Sequence, residues 1–132
     1  MKTKNLLLVA IVLLGITTMS CKKETGCTDS TATNFKSSAE KDDGSCTYKG
    51  NATFWNLNTS SLGNVDVYVN SIPQGTITLD YTSTPSCSAN GCVTYTAAPG
   101  AYSYTASEQG TTRTWSGTVT ITSKGCATVK LY

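Results

Sequence analysis

From Ala52 to Leu131 apolar and polar side chains alternate with a period of two, and that pattern restricts this stretch to β-structure. Val65, Val67 and Val69 share one side of a strand, with Asp66 and Tyr68 on the other. Ile77, Leu79 and Tyr81 alternate with threonines and Asp80, Val93 and Tyr95 with Thr94 and Thr96, and Tyr102 and Tyr104 with Ser103 and Thr105. Trp115, Val119 and Ile121 fall on one face, as do Val129 and Leu131. Together with residues 53–57 these make seven strand candidates divided by Gly, Pro, Asn and Ser turns. Strands with one apolar face need a second layer to cover it, so the predicted fold is all-β: a single seven-stranded antiparallel β-sandwich over residues 50–132.

Composition agrees and narrows the function. Charged residues are only 14% of the chain, while Thr, Ser, Gly, Asn and Tyr abound, a mixture that suits strands and turns. There is no histidine, so the usual general base and commonest metal ligand are missing. No Gly-x-Ser-x-Gly elbow occurs to activate a serine. Asp66, Asp80 and Glu108 are the acids of the sandwich region, and alternation puts Asp66 on the outer face of its strand. The expectation is a protein that is not an enzyme, with no catalytic residue, no metal and no cofactor.

The amino terminus gives the compartment. Lys2 and Lys4 precede an apolar run from Leu6 to Ile16, and Ser20 is a small residue directly before Cys21. This is the plan of a cleaved secretory signal over residues 1–20. Its apolar run would make a helix of about 16 Å, against roughly 30 Å of bilayer hydrocarbon, too short to span. Ten Lys and Arg less Lys2 and Lys4 leave eight against eight Asp and Glu, so the mature chain is neutral and lacks the basic field that binds nucleic acid.

The region after Cys21 is polar, and a segment this short needs a staple. Export permits disulfides, so Cys27, Cys46, Cys87, Cys92 and Cys126 read as a disulfide framework. The Cys27–Cys46 spacing suggests one closed loop, worth roughly 3 kcal/mol of unfolded-chain entropy. Cys87 and Cys92 enclose Ser88-Ala89-Asn90-Gly91, a tight loop that predicts their mutual pairing. Cys126 pairing with either of them is the alternative. A zinc site lacks both the C-x₂-C spacing and a histidine.

Three resemblances extend this reading. A Cys directly after the signal resembles the bacterial lipobox, which implies that Cys21 is acylated with chains such as palmitate and anchors residues 21–49 to a membrane. Gly26-Cys27-Thr28-Asp29, Ala32-Thr33-Asn34-Phe35 and Asp42-Asp43-Gly44-Ser45-Cys46 look like a short Cys-flanked module of exported Bacteroidetes proteins. Val65-Asp66-Val67-Tyr68-Val69-Asn70, Ala98-Pro99-Gly100-Ala101-Tyr102 and Gly117-Thr118-Val119-Thr120-Ile121 resemble the PEGA-like and carboxypeptidase-regulatory-like, transthyretin-like β-sandwiches. That likeness implies an accessory, non-catalytic module. The expected place is the outer membrane, with the exposed face left open between periplasm and cell surface.

Candidate sites are few. Tyr68, opposite the valine face, is expected to be more exposed than Trp55 and is the candidate ligand surface, since an aromatic on a flat β face can stack on a sugar ring. Asp29-Ser30-Thr31 resembles an O-glycosylation sequon of exported Bacteroidetes proteins, which implies modification at Ser30. Asp29, Asn34, Asp42 and Asp43 carry hard oxygens, but the closing Glu of a calcium loop is missing, and Asp42-Asp43-Gly44 reads as a solvated turn with Gly44 at positive φ. The resulting expectation is a non-catalytic cell-envelope lipoprotein whose sandwich binds or packs against a partner at the envelope, protein or glycan; the alternative is a carbohydrate-binding accessory lipoprotein.

Overall fold

The structure is a computed structural model that describes residues 22–132; the expected signal peptide, residues 1–20, and the expected lipidation site Cys21 lie outside the described residues. Among the described residues there is no α-helix, and the architecture is all-β. Ten strands occur: β1 Thr25–Gly26, β2 Lys41–Asp42, β3 Gly50–Leu57, β4 Val65–Val69, β5 Ile72–Ile77, β6 Asp80–Tyr81, β7 Val93–Ala97, β8 Gly100–Glu108, β9 Thr114–Ile121 and β10 Cys126–Lys130. Two of the three beyond the expected seven, β1 and β2, form a small parallel ladder in the segment before Gly50. The third comes from the expected strand through Ile77, Leu79 and Tyr81, which breaks into β5 and β6. Thr78 donates its N–H to the Gly91 carbonyl, and the Tyr81 hydroxyl donates to that of Asn90. Leu79, expected in the core, therefore lies outside it, 53% exposed, against Gly91.

The larger strands form two four-stranded sheets, one ordered β5-β4-β8-β9 and the other with β3 flanked by β10, β6 and β7. The first is antiparallel throughout. Asn70 and Ser71, both in the left-handed region (φ 49° and 65°), make the two-residue turn between β4 and β5, the twist that suits a hairpin. The second sheet departs from the antiparallel expectation: β7 runs antiparallel to β3, but β10 and β6 run parallel to it. Residues 122–125 turn beside the chain's entry into β3, where Asn51 N–H donates to the Gly125 carbonyl and Lys124 N–H to that of Lys49. Both β3 and β10 thus start at the same end. Gly50 is buried at this junction, and a Cβ there would strike the Thr122 carbonyl.

One apolar cluster lies between the sheets. Ala52 and Phe54 of β3 and Val93 of β7 meet Val65, Val67 and Val69 of β4, Ile77, Ala106, Val119 and Ile121, with Leu131 at the edge. Phe54 meets Tyr104 edge-on at 5.2 Å between ring centroids, as Tyr95 meets Tyr102. Fully burying each Val, Ile, Leu or Phe contributes about 1.5–3 kcal/mol, so this cluster is the main stabilising element. The Tyr102 hydroxyl also donates to the Ala98 carbonyl at 2.8 Å, closing the Pro99–Gly100 turn onto β8. On β3, Thr53 and Trp55 point away from the cluster and yet are buried, at 0% and 4% exposure. Cys87 and Ser88 lie over that second face, where Thr53 Oγ1 accepts the Ser88 N–H.

Candidate functional site

The segment before the sandwich, residues 22–49 and termed the stalk, is organised by side-chain oxygens closing turns. Cys27 and Cys46 are bridged, with Cα atoms 4.8 Å apart. Asp29 Oδ1 accepts both the N–H and hydroxyl of Thr31, and its Oδ2 accepts the Tyr48 hydroxyl at 2.7 Å. The Asn34 amide spans the loop, donating to the Ser45 carbonyl and accepting the Thr47 N–H. Asp42 accepts the Gly44 N–H and Asp43 that of Ser45, with Gly44 at φ 75° as the turn requires. Each residue weighed for calcium thus has a side-chain oxygen engaged in closing a turn or the loop, and among the described residues no cluster of His, Cys, Asp or Glu converges as a metal site. Donors hold the Asp29 carboxyl below its ordinary range, first the Thr31 N–H, and the Asp43 carboxyl likewise, first the Ser45 side chain. Ser30 stands exposed in the Asp29 turn.

This stalk is docked on the sheets. Tyr48 N–H donates to Ser123 Oγ at 2.9 Å, and Lys124 Nζ sits 3.8 Å from the centre of the Tyr48 ring. Acceptance of the Tyr48 hydroxyl proton by Asp29 pushes that phenol's pKa up.

The second disulfide corrects the expected pairing of Cys87 with Cys92. Cys87 is bridged to Cys126, Cα to Cα 6.1 Å, and Cys92 carries a free, half-buried thiol. The parallel course of β10 explains it. That course sets Cys126 beside Asn51 of β3, while Cys87 Sγ lies 3.5 Å from Thr53 Oγ1 on the same strand. The Cys87–Cys92 loop is closed without a covalent bond, by Ala89 N–H to Ser86 and Cys92 N–H to Ala89. Burial pushes the Cys92 thiol's pKa up.

Tyr68 lies on the outer face of the antiparallel sheet and is half-buried there rather than fully exposed, whereas Trp55 is buried. Its row across the sheet is Pro73, Tyr68, Thr105 and Ser116, and the next row is Thr76, Asp66, Ser107 and Thr114. Asp66 Oδ1 accepts from Thr76 Oγ1 at 2.6 Å and from Gln109 Nε2 at 2.9 Å. On the other side of the ring, Asn70 Oδ1 accepts the Ser103 hydroxyl at 3.0 Å. The ring is therefore framed by fixed carboxylate, amide and hydroxyl groups. Alternation reveals Tyr68 and Asp66 from sequence, whereas Gln109 and Ser103 join them only through the pairing of β4 with β8.

Glu108 is the other acid of the two large sheets whose carboxylate is fixed by several partners. It is 6% exposed, its Oε1 accepts the Gly63 N–H at 2.7 Å, and its Oε2 meets Thr111 Oγ1 and Arg113 at 3.0 and 3.5 Å. These contacts, first the Gly63 N–H, hold its carboxyl below the ordinary range, and they tie two loops together. Among the described residues no helix is long and apolar enough to cross a membrane. No protein-family model, curated protein or solved structure matches the chain.

Proposed function

We propose that the chain is a non-catalytic cell-envelope lipoprotein, anchored through acylated Cys21 at the outer membrane, whose two-sheet sandwich is a binding module. The Tyr68 face carries this reading: a half-buried ring framed by Asp66, Asn70, Ser103 and Gln109 on an otherwise hydroxyl-lined sheet. Asp66 and Glu108 support it too, because their carboxylates hold Thr76, Gln109 and Gly63 in place. The resemblance to PEGA-like accessory modules is in keeping with such a role. The partner is an envelope protein or a neutral glycan, and the ring with its amide and carboxylate neighbours favours the glycan, since these groups serve stacking and hydroxyl recognition.

Two measurements test the reading. Cys21→Ala should release the protein from membranes, because several acyl chains at about 0.8 kcal/mol per buried methylene are what would hold it; unchanged fractionation refutes the anchor. Glycan-array binding by the wild type that Tyr68→Ala abolishes supports the carbohydrate reading. An array with no signal above background leaves the protein-partner reading in its place.

A further inference from the structure

β9 is the outermost strand of its sheet and pairs on one side only, with β8. Edge strands are ordinarily blunted by charge, proline or a bulge, because their outward N–H and C=O groups are a template for another strand. The opposite edge follows that rule. β5 carries Pro73, Gly75 at φ 145° and a register shift against β4 between Val67 and Tyr68. β9 carries none of these devices: it reads Thr-Trp-Ser-Gly-Thr-Val-Thr-Ile, without charge or proline, and keeps unbroken register with β8 along its length.

We propose that β9 is a self-pairing edge, through which two copies of this chain join antiparallel about a two-fold axis at Gly117. The argument for a second copy is the strand's own symmetry. Pairing about Gly117 sets Thr114 opposite Thr120 and Ser116 opposite Thr118, all four exposed and on one face. On the core side it sets half-buried Trp115 opposite Val119. Thr–Thr, Thr–Ser and aromatic–β-branched pairs are the favourable cross-strand combinations. Gly117 meets itself at the axis; its missing side chain leaves room that the Tyr104 ring already covers. Because residues of like parity meet, the outer hydroxyl face of one copy continues into that of the other, the condition for an isologous interface. This inference goes beyond the binding role and does not depend on the ligand of the Tyr68 face.

The test uses charge at two exposed positions. The full chain in mild detergent, at about 100 μM, lies a hundredfold above a micromolar Kd, and its protein mass by light scattering should be that of two copies. S116K/T118K places lysines opposite lysines at both symmetric pairs and should give the mass of one copy, with an unchanged circular dichroism spectrum. S116K/T118E places Lys opposite Glu and should restore the dimer. A monomeric wild type overturns the proposal. So does a dimer indifferent to S116K/T118K, which would reflect shared micelles or another surface, and so does a monomeric S116K/T118E, which rejects the Gly117-centred register.

Discussion

Replacing Cys87 and Cys126 together by alanine removes the cross-link between the segment lying over β3 and the head of β10. The pair is 39 residues apart in sequence, and the loop-closure relation of about −2.1 − 1.5R ln n cal/mol/K for a loop of that size gives about 4 kcal/mol at 25 °C. The Cys27–Cys46 bridge, with a separation of 19, gives about 3 kcal/mol on the same relation. Domains of this kind have roughly 5–15 kcal/mol in total, so the loss is a large share of stability. Both cysteines must change at once, because a single replacement leaves a second free thiol besides Cys92 and permits a new bridge. Urea unfolding of the full chain, wild type against C87A/C126A, measures the effect as a fall of about 4 kcal/mol. The slope against urea should rise as well, since an unfolded chain without the bridge exposes more surface. A loss under about 1 kcal/mol with an unchanged slope would refute the argument that this bridge acts through the unfolded chain.

Two further outcomes concern the stalk and the acids. A fragment of residues 50–132 contains the whole apolar cluster and should unfold in one cooperative thermal transition with a β-type circular dichroism spectrum; an unfolded fragment beside a folded full chain would make the stalk part of one domain. Asp29, Asp43, Glu24 and Glu108 have carboxyls held below their ordinary range, chiefly by Thr31, Ser45, Lys36 and Gly63 respectively. Their stabilisation is complete above the unfolded carboxylate range near pH 4 and is lost as pH falls through the lower folded values, so the urea midpoint should hold from pH 8 to about 5 and drop below about 4. A midpoint independent of pH down to about 2.5 contradicts that linkage.

The seven longer strands were legible because a period of two is written residue by residue, whereas the two-residue strands β1, β2 and β6 are too short to show it. Val65, Val67 and Val69 announce a buried face, and the Cys27–Cys46 spacing announces a short closed loop. The partner of Cys126 was not legible. It depends on β10 lying parallel to β3, a pairing between remote segments that leaves no trace in local alternation. Leu79 misled for a related reason: its spacing from Ile77 continues the strand pattern, but the chain leaves the sheet after Ile77 to pair β6 with β3. At the Tyr68 face, Asp66 shares the ring's strand and was visible, whereas Gln109 and Ser103 arrive from β8 and its following turn through pairing alone.

The position of β3 also has a temporal meaning. It is the first long strand to leave the ribosome, and its neighbours are β6, β7 and, last, β10. The Leu131 N–H donates to the Trp55 carbonyl, and the Leu57 N–H to that of Tyr132. One whole side of β3 therefore stays unpaired until residues 126–132 arrive, and contacts this remote in sequence form slowly. A chain built in this way remains unsealed through most of its synthesis, and its sandwich closes only once the last strand is available.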